Sequence, residues 1–112
     1  MEIQVERRAA VAVLAIAGSV DGATAPALVA AFREEVGGGW IRIVGDFSRV
    51  DYTSSAGLRA LLETVKETRQ RGGDLRLAAV QPEVRRVLDL AGFTGILKLY
   101  DGVDAAVASF GA

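Results

Sequence analysis

Seven consecutive apolar residues, Val11 to Ala17, constrain this chain more than any other stretch. Arg7-Arg8-Ala9 precede the run and Gly18 ends it, so its length and borders read as a buried strand. Just upstream, Ile3 and Val5 alternate with polar neighbours, which predicts a first strand folded back on the run as a hairpin. At 112 residues and 51% hydrophobic content, the chain is expected to form one domain over 1–112 around a single core.

The rest of the sequence alternates helical and strand patterns. Leu28, Val29, Phe32 and Val36 recur at helical spacing from Thr24 to Val36, with Thr24 as the expected cap and Pro26 in the first turn. Gly37-Gly38-Gly39 ends that helix as a cap and turn, because the lysine and hydroxyl of a phosphate-binding loop do not follow it. Trp40 to Val44 predicts a strand that delivers Asp46 at its end, and Leu75 to Val80 predicts another. Pro82 opens a short helix that Gly92 closes; Ile96 to Tyr100 is a last strand, and Val103 to Phe110 a final helix. This order predicts an α/β domain, a mixed sheet of about five strands covered by about four helices.

Between the third and fourth strand patterns lies Val50-Asp51-Tyr52-Thr53-Ser54-Ser55-Ala56-Gly57-Leu58. It reads as a strand end, a short polar loop and a helix start, and Leu58, Leu61, Leu62 and Val65 give the helix an apolar stripe. Ser54 or Ser55 is placed to cap that helix, which is what serines in front of helices ordinarily do. The same two hydroxyls stand at the positive end of a helix dipole, where an added phosphate is favoured.

The run Asp46 to Leu58, with Gly18-Ser19-Val20-Asp21, Thr24 and Leu28 upstream, resembles the signature segments of STAS domains, the family of bacterial anti-sigma factor antagonists. The likeness extends over nearly the whole chain and implies the architecture that the periodicity predicts. It also implies a cycle in which the unphosphorylated protein binds a serine-kinase anti-sigma factor and frees a sigma factor. Phosphorylation of a serine at the helix start ends the complex, and a serine phosphatase restores it.

Carried over by position, the phosphoacceptor falls on Ser55, with Ser54 as the alternative. Ser54 stands where the family usually has an aspartate, and Ala56 replaces a common hydroxyl residue, which leaves open either serine or a member that is not phosphorylated. Asp21 and Thr24 correspond to the loop beside the acceptor, and together with Arg49, Asp51, Tyr52, Thr53, Ser54, Ser55, Ala56, Gly57 and Arg59 they are the expected partner contacts. Gly57 reads as a small residue that permits close packing at the helix start. The alternative function is a STAS docking or ligand-sensing subunit of a signalling or transport assembly, unphosphorylated.

Composition narrows the chemistry. With no cysteine and no histidine, neither a disulfide, nor a thiolate zinc site, nor a histidine-activated serine is available, so no catalytic residue, metal ligand or cofactor is expected. Asp21, Asp46 and Asp51 raise a magnesium site or a phosphoacceptor aspartate of the response-regulator kind, but turn capping is their commoner role, and the acidic pair such receivers need after the first strand is absent. Thirteen basic against fourteen acidic residues give a net charge of -1, which argues for a protein partner rather than nucleic acid or a membrane surface. No signal peptide or membrane span is apparent, so a cytoplasmic protein, monomeric or weakly dimeric, is expected.

Overall fold

The computed structural model describes residues 1–111. An edge strand, β1 (Glu2–Arg8), turns at Ala9, which takes a left-handed φ of 51°, into β2 (Val11–Ala17). There follow α1 (Ala25–Gly37), β3 (Arg42–Arg49), α2 (Ser55–Gln70), β4 (Asp74–Ala78), α3 (Pro82–Leu90), a 3-10 turn at Phe93–Gly95, β5 (Lys98–Tyr100) and α4 (Val103–Ala108). The strands lie side by side in chain order; β1 is antiparallel to β2 and the other neighbours are parallel.

The apolar run of β2 is continuous because both its faces are covered. Ala12, Leu14 and Ile16 point into the large core with Leu28 and Phe32 of α1, Leu61 and Val65 of α2, and Val84 and Leu88 of α3. Val11 and Val13 point the other way and pack with Val44, Ala78 and Ala106 under α4. Alternation along a strand therefore feeds two unequal cores.

Three expectations are corrected. The third strand does not stop at Val44 but runs on to Arg49, so Asp46 lies within it rather than at its end; Phe47, 1% exposed, gives that extension a core residue. The last strand begins at Lys98, because Ile96 and Leu97 donate their N–H groups back to the Phe93 carbonyl at 2.9 and 2.7 Å. The α2 stripe is centred on Gly57, Ala60, Leu61, Thr64, Val65 and Thr68, while Leu58 and Leu62 flank it partly buried.

Where the parallel strands begin, buried charges tie the layers together. Glu35 at the end of α1 accepts from Arg7 of β1 at 2.8 Å, and the same guanidinium lies over the Trp40 ring. Asp74 opens β4 with one carboxylate oxygen 2.8 Å from Arg69 and the other 3.1 Å from Arg76.

Candidate functional site

At the opposite edge, where the parallel strands end, two loops are stitched into one surface. Gly18 donates to the Arg49 carbonyl at 2.9 Å, Val20 to Tyr52 at 2.9 Å, and Ser54 back to Val20 at 2.8 Å, with a bridge between Val20 and Thr53. The Ser19 hydroxyl adds a bond to Asp51 at 3.1 Å. The site is not the crevice of a doubly wound sheet, because the strand order never reverses. It is a bonded pair of loops, the β2–α1 loop carrying Asp21 and Thr24, the β3–α2 loop carrying Asp51 to Ser54.

The first loop holds itself. Asp21 Oδ1 accepts the N–H groups of Ala23 and Thr24 at 2.9 and 3.1 Å, while Thr24 Oγ1 accepts the Asp21 N–H at 2.9 Å and donates to the Ser19 carbonyl at 2.8 Å. Thr24 stands at the helix border but makes no side-chain cap bond, so its predicted role is replaced by this reciprocal closure. The N–H of Thr24, then that of Ala23, holds the Asp21 carboxyl below its ordinary pKa, with burial opposing only in part.

Two serines, adjacent in sequence, have opposite environments. Ser54 occupies the cap position in extended conformation, yet its hydroxyl makes no cap bond and lies buried without a partner among the described residues. The capping predicted for it is therefore absent, and an unsatisfied buried hydroxyl is destabilising by about 1–3 kcal/mol. Ser55, the first residue of α2, is exposed to solvent. Neither serine has a basic side chain hydrogen-bonded to it among the described residues.

Gly57 explains how the loops come this close. A Cβ there would stand 2.3 Å from Thr53 Oγ1 and 2.8 Å from Val20 Cγ1, so any larger residue would have to displace those side chains for α2 to start against both loops. Thr53 is correspondingly buried, at 3% exposure, which makes it a packing residue rather than a surface contact. Arg49, Asp51, Tyr52 and Arg59 are exposed, and Arg49 and Arg59 enter no ion pair among the described residues. Ala56 and Arg59 turn toward α1 and line a groove with it.

The three aspartates raised by the sequence do not converge. Asp46 spends an oxygen on the Ser48 N–H at 3.0 Å, Asp21 and Asp51 have the partners given above, and no acidic cluster suited to a metal occurs among the described residues. Ser19 and the buried Val20, by contrast, join the two loops, a role that the sequence reading left unassigned. Their signal was present, since they sit inside the Gly18–Asp21 segment, but pairing with Asp51 and Thr53 is a property of the folded loops. No helix among the described residues is long and apolar enough to cross a membrane.

Comparison with known proteins places this surface in context. The STAS domain family model matches residues 2–106. BtrV of Bordetella bronchiseptica, whose name makes it a candidate anti-sigma factor antagonist, is 36% identical over 110 residues, spanning 98% of this chain and 95% of its own. An anti-sigma factor antagonist from Mycobacterium paratuberculosis superposes with a TM-score of 0.88 at 30% identity, covering 96% of this chain and 92% of its own. SpoIIAA of Bacillus, an anti-sigma factor antagonist solved in its phosphorylated form, superposes at 0.76 with 20% identity and coverage of 97% and 99%, and so shares the fold.

Proposed function

The chain belongs to the STAS domain family, and from that premise we propose that it acts as an anti-sigma factor antagonist switched by phosphorylation of Ser55. Its partner in this reading is a serine-kinase anti-sigma factor, which it binds unphosphorylated, so that a sigma factor is released. The observation that carries the choice of residue is the contrast between the two serines: Ser55 is exposed at the first position of α2, whereas the Ser54 hydroxyl is buried.

The chemistry comes from the partner. The kinase transfers the γ-phosphoryl group of its ATP to Ser55 Oγ, the hydroxyl proton leaves with a base of the kinase, and ADP departs. A serine phosphatase later hydrolyses the ester. On this chain the added group brings close to two negative charges to a helix N-terminus, where peptide dipoles stabilise it. A partner surface packed over Ser55 must then desolvate those charges or face them, and a loss of about 3 kcal/mol in binding lowers affinity more than a hundredfold.

The test is capture from the native host with wild type and Ser55→Asp as baits, followed by mass spectrometry of partners and of both serines. Recovery of a kinase-type anti-sigma factor by wild type, its loss with Ser55→Asp, and phosphate on Ser55 but not Ser54 are expected. If both baits bring down the same assembly and neither serine carries phosphate, the switch is wrong and the chain is a docking subunit.

A further inference from the structure

Between α1 and α2, beside Ser55, runs an open groove of about 510 Å³. Its walls meet through small side chains: Ala30 and Val29 from α1, Ala56 and Ala60 from α2. Two parallel helices that faced each other with leucines would close such a space, so the small residues create it. Along α2 the lining extends from Ala56 to Glu63, a rise of about 10 Å, or two helical turns.

The rim is charged. Arg33 from α1 and Arg59 from α2 border the groove; both are exposed and neither enters an ion pair among the described residues. Glu63 alone opposes them, so the groove carries two cations against one anion. An apolar floor two turns long, with unpartnered guanidiniums at its rim, matches a short amphipathic helix that presents apolar residues at i, i+3/i+4 and i+7 flanked by carboxylates.

We propose that this groove docks an acidic amphipathic helix of the anti-sigma factor, and that Arg59 is the point at which phosphorylation acts on it. The inference rests on the antagonist reading above. Ser55 precedes the lining residue Ala56 and stands one turn from Arg59, at i and i+4 on one helix. A phosphate on Ser55 thus competes for the guanidinium that the partner's carboxylate uses, and sets a dianion against that carboxylate. Ala56 keeps the mouth of the groove apolar.

The test measures binding of the purified host anti-sigma factor by calorimetry to wild type, Ala30→Trp, which fills the groove from an exposed position, and Arg33→Glu, which reverses its rim. Both variants are expected to melt like wild type and to bind at least about tenfold more weakly. With Arg59→Ala as background, Ser55→Asp is expected to lose part of its effect, the non-additivity of a shared contact. A photo-crosslinker in place of Ala30 should label a helical, Asp/Glu-bearing segment of the partner. Wild-type affinity in both groove variants, or a label on a non-helical segment, overturns the groove while the Ser55 switch stands. An equal effect of Ser55→Asp with and without Arg59 overturns the shared arginine. If wild type binds no anti-sigma factor, both readings fall.

Discussion

The two ends of the parallel sheet treat charge in opposite ways. Where the strands begin, Glu35 and Asp74 are 5% and 6% exposed and their carboxylates are matched by Arg7, Arg69 and Arg76. Where they end, Arg49, Arg59, Asp51 and Tyr52 stand in solvent, and the ion pairs among the described residues include neither arginine. Charges matched within the chain have little left to offer another molecule. Charges left unmatched at the end that carries Ser55 add little to folding, and in the proposed function they are the ones a partner would use.

Glycines at the two ends give the strongest way to break this contrast. A Cβ on Gly73 would lie 1.9 Å from the Ile41 carbonyl oxygen, which is backbone and cannot turn aside. Gly73→Ala is expected to destabilise by about 3 kcal/mol or more, read from the urea midpoint. At Gly57 the obstacles are led by the side chains of Thr53 and Val20, which can give. Gly57→Ala should therefore lose only about 1–3 kcal/mol, but it should also weaken partner capture by spreading the two loops. Equal stability losses with unchanged capture would dissolve the distinction.

Aspartates sharpen it at a smaller scale. Asp74→Ala strands Arg76, whose side chain is 13% exposed, and should lose about 3 kcal/mol. Asp51→Ala, which removes only the exposed bond from Ser19, should stay within about 0.5 kcal/mol in the same titration while reducing capture. The arrangement is refuted if Asp51 proves to be the more stabilising of the two.

The smallest expected effect is that of Asp21. Its carboxyl is held below the ordinary value of 3.8 because the folded loop donates N–H groups to the ionised form. Its stabilisation is thus complete above that value and is lost as pH falls through the lower folded value. The gap in melting temperature between wild type and Asp21→Ala should be constant near neutrality and shrink only in acid. A gap that grows on acidification would contradict the hydrogen-bonded loop.

Much of this was legible in the residues. The β2 run, the glycine stop after α1 and the packing role of Gly57 follow from periodicity and from what a missing Cβ permits. What escaped the sequence depends on tertiary partners. Asp46 looked like a strand end because polar residues crowd in there, but Phe47 and Val50 keep the backbone in the core. Ser54 and Thr24 had the right chemistry for capping, and each was overruled by its surroundings: Ser54 by burial, Thr24 by the carboxylate three residues before it. The burial of Glu35 and Asp74 has no sequence signal, because a lone acid in a helix or at a turn looks solvated until the arginine that covers it, such as Arg7 from β1, is brought over by the fold. The groove was equally silent, since alanines such as Ala30 and Ala56 at the border of a helix's buried face carry no pattern.

The spatial order of the strands, which repeats their order in the chain, bears on how the protein is made. Each strand that leaves the ribosome finds its neighbour already present, so the sheet can grow outward from the opening hairpin without waiting for a distant segment. The β2–α1 and β3–α2 loops, and α2 behind them, have emerged by Gln70, before β5 and α4 exist. Synthesis thus supplies the paired loops and the start of α2 early and closes the smaller core last.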